Sequence, residues 1–331
     1  MDVTPFHLHM LELIQAHAWE QARKGLEARL ADHPHEALTL RLLARLEIRK
    51  GEYDKARELL EHAVSYHGGM DERIEKALLV PPIPDSTAMI DDLRGLMLSE
   101  IRVLEQSGEQ IRGPVEMLHI PSFYLAYQGK NDRKLQESIA GLLLKAAPSL
   151  AFTAPHGTKD RPRHGGNIRI GLCSNNLRNN SVGLFFLGFA QALRGQGFEL
   201  HLFRAPAGGC DQVTARYIQS ADHDTLLSSS LETAQRQIAE KKLDILFYPD
   251  LTVHPLVNWL AFARLAPVQM TSWGHPVTSG LPHVDYYISS RLMECENARE
   301  HYSEHLVELS TFPCCYQPPQ LLSSPAKRHH F

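Results

Sequence analysis

Four residue pairs share one spacing, and that spacing constrains the chain more than any other feature. Trp19 and Tyr53, Ala22 and Ala56, Leu26 and Leu60, and Leu30 and Val64 each lie 34 positions apart. A fixed period of this size marks stacked helix pairs, because one pair cannot bury its apolar face alone. The small residue of each unit lets neighbouring helices approach closely, while the aromatic residue and leucines fill the groove between them. WEQARKGLEARLADHP and YDKARELLEHAVSYHG are then the second helices of two successive pairs. The stretch 36–49, ended by Gly51, supplies the first helix between them. An ordinary antiparallel bundle would bury similar residues but has no reason to repeat one period.

This is the tetratricopeptide period, and it fades after Gly68-Gly69. VPPIPD at 80–85 breaks the helical pattern, since proline excludes the preceding residue from helix. Helices are expected again at 86–107 and 132–147. Between them Phe123, Tyr124 and Tyr127 would share one side of a helix, where interior packing is the simplest role for such large rings. A polar, Gly- and Pro-rich stretch at 153–166 reads as a linker. Beyond it, short apolar runs at 168–174, 198–205, 224–229, 243–249, 267–273 and 284–290 alternate with helical stretches such as 182–194, 231–241 and 255–264. That alternation predicts a parallel sheet covered on both faces and wound right-handedly, a Rossmann-like domain. The expected fold class is α plus α/β. Two helical repeats occupy 1–68, a further helical region 69–152, the linker 153–166 and one Rossmann-like lobe 167–331.

Composition narrows the partners. With 34 Lys+Arg against 38 Asp+Glu, the formal charge of -4 offers no basic field for a phosphate backbone, so nucleic acid is not an expected partner. No stretch approaches the ~20 apolar residues of a membrane span, and no membrane association or signal peptide is expected. The cysteines, Cys173, Cys210, Cys295, Cys314 and Cys315, are odd in number and form no CxxC pairing that would suggest zinc. A reducing, cytoplasmic setting and no metal are expected.

Ligands of a parallel sheet bind beyond the carboxyl ends of its strands, so the loops there hold the candidate chemistry. The first, SNNLRNNSVG at 174–183, contains no GxGxxG, which argues against a nucleotide-dependent oxidoreductase. Its asparagines either reach a substrate or close turns on their own backbone. The fourth, YPDLTVHP at 248–255, sets Asp250 and His254 at a strand end, as a proton acceptor would require; Asp250 could equally cap the next helix. The fifth is SWGHPVTSG at 272–280. Gly274 permits close backbone approach, Pro276 stiffens the turn, and Thr278 and Ser279 offer hydroxyls and N–H donors for a sugar or phosphate. His275 by itself reads as either a buried, hydrogen-bonded side chain or a functional one.

The run FARLAPVQMTSWGHPVTSGLPHVDYYISS (262–290), followed by HYSEHLVELS (301–310) and CYQPP (315–319), resembles bacterial O-linked N-acetylglucosamine transferases of the SPINDLY type. DILFYPD (244–250), FYLAYQGKNDRKLQE (123–137) and the repeats upstream agree in order. The resemblance implies a GT-B glycosyltransferase, in which two Rossmann-like lobes face each other across a cleft. It implies inverting transfer of a sugar from a UDP donor to a protein hydroxyl, with no cofactor beyond that donor. Trp273, Gly274, His275 and Pro276 would line the sugar side, with Thr278 and Ser279 beside them, and the repeats would present a protein acceptor on a concave surface. Two departures stand out. Where the family's first loop carries a histidine this chain has Asn180, and an amide cannot take a proton as imidazole can. The sequence also stops at SPAKRHHF, about where the family enters its nucleotide-binding lobe. The resulting expectation is a truncated transferase, inactive alone and dependent on a separate C-terminal lobe. The alternative is a non-catalytic protein-binding scaffold with a degenerate α/β lobe.

Overall fold

The computed structural model describes residues 3–158, 166–206 and 209–315. Half of the expected linker, 159–165, and the terminal run from 316, including SPAKRHHF, lie outside the described residues.

The helical part consists of α1 (Pro5–Gln15), α2 (Trp19–Asp32), α3 (Ala37–Lys50), α4 (Tyr53–His67), α5 (Met70–Ala77), α6 (Thr87–Ser107) and α7 (Arg133–Ala146). Trp19 and Tyr53 open α2 and α4, so the 34-residue offset survives as a structural one. Ala22, Ala56 and Leu26 have no exposed surface and Leu60 almost none, as close helix packing requires. Gly51 ends α3 with φ 87°, a left-handed conformation that lets α4 start two residues later. α1 takes the place of the first helix that the leading repeat implies, whereas the sequence pattern did not announce α5. Phe123, Tyr124 and Tyr127 fall on a tight 3-10 turn, Ser122–Gln128, rather than an α-helix, and Tyr127 is 67% exposed rather than packed inside.

The second part runs β1 (Ile168–Ser174), α8 (Ser181–Leu193), β2 (Phe198–Arg204), α9 (Gln212–Ser220), β3 (His223–Leu226), α10 (Leu231–Ala239), β4 (Ile245–Tyr248), α11 (Pro255–Ala261), β5 (Val268–Ser272), β6 (Tyr286–Ser290) and β7 (His305–Leu309). Its described strands form one parallel sheet in the order β3-β2-β1-β4-β5-β6-β7. Neither α9 nor β7 was expected. α11 stops at Ala261, short of the expected 264, because Arg264 leaves the helix to pair in extended form with Phe152 and Ala154.

Alternation along the strands sends side chains to two cores. Ile170, Leu172, Leu200, Leu202 and Phe247 pack under α8 and α9. Cys173, Phe203, Leu246 and Tyr248 face the other way, into a core shared by α10, α11 and helices α5 to α7. The helical region therefore covers one face of the sheet. The strand order reverses direction between β1 and β4, which opens a crevice beyond their carboxyl ends.

Candidate active site

The loop after β1 folds back over the first turn of α8. Gly183 makes this possible, since a Cβ there would lie 1.9 Å from the Arg178 carbonyl oxygen. Asn180 is the N-cap of α8, its Oδ1 accepting from the Gly183 N–H at 2.9 Å. Its Nδ2 donates to Asn176 Oδ1 at 2.9 Å, and Asn176 Nδ2 donates to Asp250 Oδ2 at 2.6 Å. The backbone N–H of Asn176 donates to Ser174 Oγ at 2.8 Å. A polar chain thus crosses the switch point from Asn180 on one loop to Asp250 on the other.

Asp250 is 1% exposed, and burial lifts its carboxyl to about 7, against the opposing pull of Ser174 and Asn176. The Ser174 hydroxyl lies near enough to act on that charge, yet Oδ1 has no hydrogen-bond partner. Below it, burial also pushes the Cys173 thiol and the Tyr248 phenol up, so both stay neutral. Asp250 does not cap α11; that position belongs to His254, whose side chain makes no capping hydrogen bond. Burial and the Arg178 charge lower His254 to about 4, and its buried Nδ1 is unpartnered.

The loop after β5 meets Pro249 and Asp250 through Gly274. Its N–H donates to the Pro249 carbonyl at 2.8 Å, and a Cβ would sit 2.3 Å from that oxygen and 2.5 Å from Asp250 Cβ. Gly274→Ala is therefore expected to cost about 1–3 kcal/mol through overpacking, seen as a lower urea midpoint at unchanged m-value. An unchanged midpoint would mean that the two loops part freely.

His275, the next residue, is 2% exposed, and neither ring nitrogen has a hydrogen-bond partner. Burial lowers it to about 4, so the imidazole is neutral. The Phe123 ring lies 5.1 Å away at 32°, and the His275 carbonyl accepts from the Tyr287 hydroxyl at 2.7 Å. An imidazole so fixed yet unpaired is unusual in a folded interior.

The remaining residues of this loop have other duties. Trp273 donates its indole N–H to Ser289 Oγ at 3.0 Å and leans towards Phe312, on the β6–β7 side. Pro276 is exposed. Thr278 and Ser279 are not the free donors the sequence suggested. Thr278 Oγ1 donates to Glu304 Oε2 at 2.6 Å, while the Ser279 N–H, at 2.8 Å, and hydroxyl both donate to Glu304 Oε1. Gly280, at φ 69°, presses against the backbone of Gln136 in α7. Glu304 and α7 thus lock the loop, and a buried carboxylate takes the hydroxyls that were expected to hold a sugar. Sequence reasoning did not single out Asn176, Glu304 or the Phe123 contact; only the asparagine-rich run signalled the first.

A cleft of about 610 Å³ lies between α2, α3 and the Ser122–Gln128 turn, lined by Trp19, Glu20, Arg49, Lys50 and Tyr124 among others. The Arg49 guanidinium sits 3.9 Å above the Trp19 ring, a cation–π contact, and the Trp19 N–H has no partner. Tyr124 in this cleft adjoins Phe123, the ring that lies on His275.

Stacked helices joined to one parallel α/β lobe, with a polar crevice at the strand reversal, define a protein of helical and Rossmann-like parts. No family model matches the chain. Over 83 residues, 24% of its length, it is 41% identical to a Solanum lycopersicum protein described as a probable UDP-N-acetylglucosamine-peptide N-acetylglucosaminyltransferase SPINDLY. An Arabidopsis thaliana protein of the same description is also 41% identical over 83 residues. The matched stretch makes up 9% of each plant protein. In structure, 98% of the chain superposes on 62% of a Thermobaculum terrenum O-GlcNAc transferase mutant, with a TM-score of 0.63 and 22% identity. The chain is thus related in sequence to SPINDLY-type transferases over part of its length and has the fold of an O-GlcNAc transferase.

Proposed function

We propose that this chain provides the acceptor-binding arm and the acceptor-facing lobe of a protein O-glycosyltransferase. It would direct N-acetylglucosamine or a related sugar from a UDP donor onto serine or threonine hydroxyls. The observation that carries this reading is that Gly274 presses its loop against the backbone of Asp250, whose Oδ1 is unpartnered, one residue before His275, whose buried imidazole is also unpartnered. Sugar transfer to a hydroxyl needs an acceptor for its proton, ideally with a pKa near working pH, and Asp250 at about 7 meets that condition. His275, neutral, can orient a hydroxyl by donating or accepting one hydrogen bond. Asn180 serves as a cap and as an amide link to Asn176, so a histidine is not needed there for proton handling.

The helices α1 to α4 act as tetratricopeptide-like repeats, and the Trp19–Arg49 cleft leads a peptide towards Phe123 and His275. Donor nucleotide binding falls to a second lobe, carried on further sequence or on a separate chain. A reducing, cytoplasmic setting is supported by five free thiols. Among the described residues no helix is long and apolar enough to cross a membrane.

Calorimetry with UDP is expected to show no saturable binding to residues 1–331; micromolar binding would overturn the division between lobes. Joined to the remaining lobe of the Thermobaculum transferase, the chain is expected to move labelled N-acetylglucosamine onto protein. His275→Ala should lower that rate by about 10²–10⁴-fold. Undiminished transfer in this variant would remove the site from the reaction.

A further inference from the structure

A second cluster of chemically capable side chains lies at the opposite end of the sheet from Asp250 and His275. Glu199 and His201 are two residues apart on β2 and so project from the same face. His223, the first residue of edge strand β3, is paired in register with His201. His201 Nε2 lies 2.8 Å from Glu199 Oε1, and His223 Nε2 lies 3.3 Å from the same oxygen. The two imidazoles stack at 4.4 Å and 27°, and one ligand atom from each of the three residues lies within 4.8 Å of the others.

We propose that Glu199, His201 and His223 bind a zinc ion that clamps edge strand β3 to β2. Zinc takes imidazole nitrogen and carboxylate oxygen at about 2.0–2.2 Å in tetrahedral geometry, which sets ligand atoms roughly 3.4 Å apart. Binding would require the two stacked rings to turn until their Nε2 atoms converge on one point beside Glu199 Oε1. Two histidines and one carboxylate are a donor set that suits this ion, with water completing the coordination. No cysteine takes part, which is why cysteine spacing gave no sign of zinc.

The surroundings fit the proposal. Arg169 Nε approaches the other oxygen of Glu199 at 3.5 Å, which turns Oε1 towards the two rings. The His201 side chain is 4% exposed, that of Glu199 26% and that of His223 50%, so one ligand is anchored and the ion reaches the site from solvent. The clamp also has a structural purpose. β3 is four residues long and mostly exposed at the sheet edge, with little apolar burial to hold it.

The test is a calorimetric titration of ZnCl₂ into the chelator-treated 331-residue protein, with CoCl₂ as a spectroscopic probe. One equivalent is expected to bind, and cobalt should give visible d–d absorption of a low-coordinate N/O site. Free zinc a hundredfold above Kd is expected to raise Tm by roughly 4 °C. His223→Ala, half-exposed and at an edge, should fold as the parent by circular dichroism, yet lose the equivalent, the cobalt bands and the Tm shift. Glu199→Gln should weaken binding at least tenfold. His62→Ala, in the exposed His35–His62 contact on the helical part, should change none of these. Absence of a one-equivalent event in the parent, or full retention of it in His223→Ala, would overturn the proposal.

Discussion

Glu75→Ala is expected to lower stability by about 3–5 kcal/mol, the range for breaking a buried ion pair from one side. One oxygen, Glu75 Oε1, accepts from Arg41 Nη2 at 2.8 Å, Arg45 Nη2 at 2.9 Å and the His119 N–H at 2.8 Å. Arg41 also lies 3.8 Å from Asp71 and 3.7 Å from Glu72, and Arg45 donates to the Met117 carbonyl. Arg41 and Asp71 are fully buried, and Glu72 and Glu75 nearly so. Burial alone would raise the Glu75 pKa, but the two guanidiniums hold it down at about 2. Removing the carboxylate would leave the desolvated Arg45 without its carboxylate partner beside Arg41, which keeps only the longer contacts to Asp71 and Glu72, and would release the segment 115–119, which leads into the turn beneath His275. Because the folded pKa lies below the usual ~4.3, this stabilisation is present above pH ~4.3 and is lost as pH falls towards 2. Urea midpoints at pH 7 and pH 3 check both statements. A loss below about 1 kcal/mol at pH 7 would mean that the network is no stronger than a surface pair. Glu20→Gln, in the solvent-screened pair with Arg23, serves as the control that leaves the midpoint unchanged.

That network shows where sequence reading stops. MDERIEKA reads only as a run of charges, and nothing local reveals that it is a helix whose Asp71, Glu72 and Glu75 are buried. Patterns that depend on nearby residues were legible. Ala22, Ala56, Leu26 and Leu60 of the 34-residue period are buried as the period requires, while Leu30 and Val64 are half-buried, and each expected strand from 168–174 to 284–290 has its counterpart in the sheet. β7 escaped notice because HLVEL is short and mixes charge with apolar residues, which a strand at a sheet edge tolerates. In the crevice, Asp250 was legible as a strand-end carboxylate, but its link to Asn176 depends on the strand order that brings β1 beside β4. Thr278 and Ser279 looked available because Glu304, which takes their hydrogen bonds, lies beyond β6 in the sequence. The alternatives for His275 could not be separated from sequence, since its setting comes from Phe123 in the helical part.

Asp250→Asn is expected to stabilise the protein at pH 8 while disabling it. The folded pKa of Asp250, about 7, lies above the usual ~3.9 of aspartate. Its contribution is thus greatest below pH ~3.9 and is lost as pH rises through 7, a swing of roughly 4 kcal/mol at 1.36 kcal/mol per unit. Asparagine has nearly the same shape and keeps a carbonyl oxygen for Asn176 Nδ2, but carries no charge to desolvate. The new amide N–H₂ falls where Oδ1 is unpartnered and gives back about 1–3 kcal/mol as an unsatisfied buried donor. A net gain of about 1–3 kcal/mol at pH 8 and little or none at pH 5 should follow, measured as urea midpoints of both proteins at each pH. Parallel pH profiles, or a less stable variant at pH 8, would show that the carboxyl is not held neutral by burial. In the joined two-lobe enzyme the parent rate should rise with pH through about 7 as Asp250 ionises, and Asp250→Asn should lose about 10²–10⁴-fold in rate. A stability gain joined to a loss of rate in Asp250→Asn is the trade that the proposed proton-accepting role of Asp250 requires.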